Sequence, residues 1–156
     1  PLTDGERAIA EYLAEKYPEK QLWPQNIEAR AAARSVCAEM HAGFQSLRSR
    51  MPMNVRKDYT GFGHSPEVDA DIARIVAIWT DCRSRFGHDG PYLFGRFSLA
   101  DAAYAPVAFR FQTYGVKPEG DAGAYLATLL ANPHMQDWAA AARAETESIP
   151  EEDLYG

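Results

Sequence analysis

Apolar residues recur at steps of three and four along most of this chain, and no stretch alternates apolar and polar for long enough to make a strand. Ala8, Ile9, Tyr12, Leu13 and Tyr17 mark a short amphipathic helix, opened by a Thr3-Asp4-Gly5-Glu6 capping box and stopped at Tyr17-Pro18. Residues 19–25, with Pro18 and Pro24, read as an extended linker where a domain boundary can fall. Asn26 is placed to cap a long helix over residues 27 to about 51, whose stripe runs Ile27, Ala33, Val36, Cys37, Met40, Phe44, Leu47, Met51 until Pro52 ends it. Residues 53–64 form a loop with Gly61, Gly63 and a Tyr59 expected at the surface. Ser65-Pro66-Glu67 starts a second long helix with the proline at its first position, and Val68, Ile72, Ile75, Val76, Trp79, Cys82 and Phe86 carry it to Gly87.

The next segment is apolar almost all round: Leu99, Ala100, Ala102, Ala103, Tyr104, Ala105, Val107, Ala108, Phe109 and Phe111 predict a buried central helix. Ser98 is its N-cap, and Asp101 completes a capping box by accepting from the Ser98 N–H. Pro106 removes one backbone bond inside that helix, so a kink is expected, and Gly115 stands where a C-terminal cap belongs. Two shorter helices follow, over residues 121–130 and from Asn132-Pro133 to about residue 146, before an irregular tail over 148–156. The expected fold is all-α: a bundle of about five helices plus an N-terminal helix, divided at residues 1–25 and 26–156.

Composition narrows the function classes. The net charge of −6 is concentrated in the tail, where residues 144–156 hold five acids and no Lys or Arg, which leaves 17 acids against 16 bases elsewhere. A nearly neutral body lacks the basic face that a nucleic-acid partner needs; the local cluster Arg48, Arg50, Arg56, Lys57 reads as a solvated helix end. Cys37 and Cys82 are far apart and fit no metal spacing and no disulfide scaffold, and His64, His88 and His134 form no metal-ligand spacing with one another, so no metal is expected. With no apolar run long enough for a bilayer and no basic-then-apolar leader, a reducing cytoplasm without membrane contact is the expected setting.

Leu93-Phe94-Gly95, Phe97-Ser98-Leu99-Ala100-Asp101-Ala102, Tyr104-Ala105-Pro106-Val107 and Arg110-Phe111 together resemble the central helix of the C-terminal domain of cytosolic glutathione transferases. Ala8 to Leu13 resembles the last helix of that family's thioredoxin-like N-terminal domain, and Leu22-Trp23-Pro24 its linker. By this resemblance the chain holds the helical half with only the end of the first domain. The family's acidic or amide residue followed by Ser, which grips glutathione, is replaced here by Gly5-Glu6. Glu39-Met40-His41-Ala42-Gly43-Phe44 resembles the segment that bacterial beta-class members carry on the long helix, where the His faces the cleft; Ala42 stands where a Lys often follows.

On a continuous helix Cys37, His41, Phe44 and Arg48 fall in one arc beside the apolar line. An imidazole and a guanidinium there can bind glutathione carboxylates or stabilise a thiolate, while Phe44 and Met40 can contact an apolar electrophile; a boundary histidine satisfied by its surroundings is the plainer alternative. Tyr104 reads as a core aromatic with a backbone partner, a substrate contact being its other possible role, and Arg110 must pair or snorkel. Asp101 is assigned to the capping box. The resemblance implies a homodimeric, detoxifying glutathione transferase that uses glutathione as co-substrate on small apolar electrophiles. Its activating residue would lie in the missing domain, so this chain alone is expected to be inactive. The alternative is a non-catalytic glutathione-transferase-like interaction module.

Overall fold

The computed structural model describes residues 3–147 and 153–156. Among them lie seven α-helices: α1 Thr3–Lys16, α2 Ile27–Ala42, α3 Gln45–Arg50, α4 Pro66–Phe86, α5 Leu99–Tyr114, α6 Gly120–Leu130 and α7 Pro133–Ala144, with a 3-10 turn at Pro18–Lys20. Two isolated bridges, Tyr92–Gly95 and Phe94–Arg96, tighten the turn before α5, and no strand forms among these residues. The fold is all-α, as the periodicity predicts.

The local caps explain where the helices start. Asn26 accepts from Ala29 N at 3.0 Å, Ser65 from Val68 N at 3.3 Å, and Asn132 from His134 N at 3.0 Å. Ser98 and Asp101 form the reciprocal box. The Asp101 carboxylate accepts from Ser98 N at 2.8 Å and also from Leu93 N at 3.1 Å, so it fixes the preceding turn as well as the helix. The side chains of the Thr3-to-Glu6 box lie outside the described residues.

α5 is the centre. It stays helical through Pro106 and ends at Gly115, whose φ of 71° supplies the left-handed cap while Val116 N closes back on Phe111 O at 2.9 Å. Trp79 of α4 is wholly buried against it, with ring centroids 5.8 Å from Tyr104, 5.3 Å from Phe111 and 5.0 Å from Tyr125 of α6. Truncating an aromatic so enclosed costs about 3–5 kcal/mol, so α4, α5 and α6 behave as one packing unit.

Two expectations are corrected. The helix expected to run unbroken over residues 27–51 stops at Ala42 and restarts at Gln45. Gly43 is extended, and a Cβ on it would lie 2.7 Å from the Glu39 carbonyl oxygen. Phe44 then takes φ 58°, ψ 39°. A left-handed non-glycine residue costs roughly 1–3 kcal/mol, which burying a phenylalanine ring, about 1.5–3 kcal/mol, can offset; the Phe44 ring is 7% exposed. Tyr59, expected at the surface, is 3% exposed. Its loop is stitched to the end of α5 by Tyr59 N to Thr113 O at 2.8 Å and by the Tyr114 hydroxyl to Pro52 O at 3.0 Å. Its ring packs between Tyr114 and Tyr155 at 5.6 and 5.4 Å. The last described residues therefore return to the body, where the Tyr155 hydroxyl donates to Arg50 O at 2.7 Å.

Candidate functional site

Where α1, the Leu22–Trp23 segment, α2 and the start of α5 meet, they leave a cleft of about 270 Å³. The α5 wall is Leu99, Ala102 and Ala103, and the two alanines keep it open by having little to fill it with. The α2 wall is Arg34, Cys37, Met40 and His41, of which Arg34, Cys37 and His41 follow one another on a single face. Ala10 and Glu11 of α1 close one side and the Trp23 indole another. Leu99 N donates to Leu22 O at 2.9 Å and Arg96 donates to the Gln21 amide oxygen at 2.6 Å, so the segment carrying Trp23 is tied to the capped start of α5.

The charged groups at the mouth are paired. Arg34 donates to both Glu11 carboxylate oxygens, at 2.8 and 2.6 Å, and its guanidinium lies 5.6 Å from the Trp23 ring centre. The Glu11 contact holds the guanidinium above its ordinary value, against some desolvation. At the surface, Arg74 of α4 makes the same forked contact to Glu39 of α2, at 2.7 and 2.9 Å, and keeps that carboxyl below its ordinary value.

The proposed arc does not form as drawn. Met40 and His41 line the cleft, and Cys37 lines it with them. The break at Gly43 turns Phe44 into the core, where it is buried. Arg48 folds back, donating to the Met40 and His41 carbonyls, so it caps the end of α2 and does not face the cleft. Tyr104 sits behind the wall, wholly buried, and its hydroxyl donates to Val36 O at 3.2 Å; burial pushes its phenol far above the usual range. Arg110 donates to Met51 O at 2.9 Å. Sequence reasoning passed over Arg34 and Glu11. Arg34 was findable, one turn before Cys37 on the His41 face; its partner, 23 residues earlier on another helix, was not.

Cys82, the other thiol, is buried and its pKa is pushed up to about 12 by desolvation, which makes it inert at neutral pH. No group of three His, Cys, Asp or Glu among the described residues could hold a metal ion. No described helix is long and apolar enough to cross a membrane. What the cleft offers is an apolar floor, an imidazole and a forked cation, which suits holding a small organic molecule.

Residues 65–141 match the family model of the glutathione S-transferase C-terminal domain. The matched stretch takes in α4, α5, α6 and most of α7, and it is this part of the all-helical fold that is similar to that domain. The Leu99, Ala102 and Ala103 wall falls within it, whereas α1, Trp23 and α2 precede it. No curated protein shows significant similarity to the chain.

Proposed function

We propose that this chain is the electrophile-binding and dimer-forming half of a cytoplasmic glutathione transferase of the bacterial, beta-class-like kind, in which the cleft beside α2 receives a small apolar electrophile next to glutathione. The observation that supports it most is the joint presence of Met40 and His41 in a cleft with an apolar floor. His41 would face the polar ligand and Met40 the apolar one. The thiol-activating residue would come from a thioredoxin-like unit, with residues 1–25 as the end of that unit and its linker. The outward side of α1 supports such a neighbour: Ile9 and Tyr12 are each 59% exposed, with Leu13 beside them, an apolar stripe that a folded domain would cover. The two long helices α2 and α4 would supply most of the homodimer contact. The same stripe also favours the second reading, a non-catalytic interaction module, because a protein partner could cover it equally well.

The test is to add S-hexylglutathione, a glutathione with an apolar tail, and follow the His41 ring protons and Met40 methyl by nuclear magnetic resonance. Saturable shifts at both, lost in His41→Ala for the ring and weakened for the ligand, are expected. Shifts confined to other parts of the chain, or none at millimolar ligand, would leave the interaction-module reading in possession.

A further inference from the structure

We propose that the pocket filled by Tyr155 is a docking site for an acidic and aromatic turn, Asp-x-Tyr-Gly, in a partner protein, and that the chain's own residues 153–156 hold the site in the partner's absence. The site is separate from the cleft beside α2. Gly156 N closes on Asp153 O at 3.4 Å, with Gly156 at a φ of 93°, so these four residues form a turn. The turn offers three polar groups to the body. The Asp153 carboxylate accepts from the Asn54 amide at 2.7 Å, the Tyr155 hydroxyl donates to Arg50 O at 2.7 Å, and Gly156 O accepts from the Lys57 ammonium at 2.9 Å. The Tyr155 ring lies 5.4 Å from that of Tyr59 and 5.1 Å from that of Phe62. Leu154, between the acid and the tyrosine, is exposed, which leaves that position of the motif free.

The receiving surface is fixed by contacts that do not involve the turn. Asn54 Oδ1 accepts from Arg56 N at 2.9 Å and Lys57 N at 3.2 Å, so the amide is locked with its N–H groups turned to where a carboxylate sits. The backbone around it is held by donors from the helices: Arg110 to Met51 O at 2.9 Å, the Tyr114 hydroxyl to Pro52 O at 3.0 Å, Thr113 to Asn54 O, and Arg143 to Val55 O at 3.2 Å. Gly63 closes the far side, where a Cβ would lie 2.5 Å from the same Arg50 O that receives Tyr155. A surface ordered in advance binds without the cost of ordering it.

The chain's own turn fills this surface incompletely. The Tyr59 hydroxyl is buried with no hydrogen-bond partner among the described residues, a costly state for a donor. Burial, and then the Asp153 charge, raise its phenol above the ordinary value. Tyr155 stays half-buried, and its bond to Arg50 and the Lys57 bond are open to water, which competes for them. A partner with the same turn and an acceptor for Tyr59 gains what residues 153–156 lack. A second copy of the chain offers only the same turn at a lower effective concentration than the tethered one, so it does not displace it.

The probe is the hexapeptide of residues 151–156, labelled with fluorescein at its N-terminus, amidated at its C-terminus and followed by anisotropy against the whole chain. Tyr155→Ala empties the pocket in cis, and that chain should bind the peptide saturably. Wild type, where the tethered turn competes, should bind it about tenfold more weakly or worse. Peptides carrying Tyr155→Phe or Asp153→Ala should each lose about threefold to tenfold, the scale of one hydrogen bond, and a scrambled peptide should not bind. Excess unlabelled peptide added to wild type should move the Tyr155 ring resonances to those of a free tyrosine, a readout that does not depend on the variant folding. 2-Naphthamide, a neutral apolar probe of the cleft beside α2, should not compete with the peptide. Three results would overturn the proposal: no saturable binding to Tyr155→Ala with unmoved Tyr155 resonances in wild type, equal affinity for native and scrambled sequences, or competition by 2-naphthamide. A concentration-dependent dimer of wild type that Tyr155→Ala abolishes would overturn it too, because the occupant would then be a second copy.

Discussion

The Asp71 carboxylate on α4 accepts a hydrogen bond from Leu47 N at 2.9 Å, which makes a residue 24 positions away the N-terminal cap of α3. Phe44, at the formal cap position, offers no side-chain acceptor. Leu47 is buried at 1% exposure, so its N–H depends on that partner. Asp71→Ala should cost about 1–2 kcal/mol in urea unfolding, and Asp71→Asn, which retains an acceptor, clearly less. Equal losses from the two would show that the charge matters and the cap does not.

Asp101 is wholly buried and serves three donors: Leu93 N, Ser98 N and the Ser98 hydroxyl. Asp101→Ala orphans two buried backbone N–H groups and should cost roughly 2–4 kcal/mol. Ser98→Ala should cost about 1 kcal/mol. The double variant should lose less than the sum, because each side chain is the other's partner. Chemical unfolding of the three proteins decides whether the box acts as a unit.

Burial raises the Asp101 carboxyl above its ordinary value of 3.8, and the hydrogen bonds from Leu93 and Ser98 only partly oppose this. A raised carboxyl contributes stability fully below the ordinary value and loses it as pH climbs through the raised one. The stability difference between wild type and Asp101→Asn should therefore be most in favour of wild type in acid and decline toward neutral pH. Paired unfolding curves across that range check the sign. A difference that grew with pH would mean the donors outweigh desolvation.

The two thiols should separate cleanly. Cys82 is 2% exposed with its pKa at about 12, while Cys37 is half-buried at the wall of the open cleft. In native buffer an aromatic disulfide reagent should titrate one thiol and reach the second only after denaturant is added. Cys37→Ser should abolish the native signal; if Cys82→Ser did so instead, the placement of α2 against α5 would be wrong.

Helix starts could be read from the chain because their caps are local. Asn26, Ser65, Ser98 and Asn132 each reach a backbone N–H two or three residues on, and all four act as their neighbours in sequence require. The features that escaped reading are held by distant partners. The break between α2 and α3 needs Asp71, the burial of Tyr59 needs Tyr114 and Tyr155, and the mouth of the cleft needs Glu11 against Arg34. The apolar step at Phe44 continues the helical stripe in sequence, yet the chain leaves the helix one residue earlier. Periodicity reports which residues are buried, and Phe44 is, but it cannot report a left-handed turn that keeps the ring buried while re-aiming everything after it.

That turn sets the sharpest test of where the site ends. On an unbroken helix Phe44 would contact an apolar ligand; in the structure it packs in the core and the cleft wall stops at His41. Phe44→Ala should thus cost about 3–5 kcal/mol of stability and leave the affinity for 2-naphthamide unchanged wherever the variant remains folded. Met40→Ala should do the reverse in kind: Met40 is half-buried and lines the cleft, so removing it should weaken an apolar probe severalfold while lowering the melting temperature only modestly. Arg48→Ala should resemble Phe44→Ala in affecting stability alone, since its guanidinium is spent on the Met40 and His41 carbonyls. Melting curves and probe titrations on the three variants separate the two roles. Loss of probe affinity in Phe44→Ala at a temperature where its near-ultraviolet spectrum is native would return that ring to the site and make the break at Gly43 a feature that ligand binding reverses.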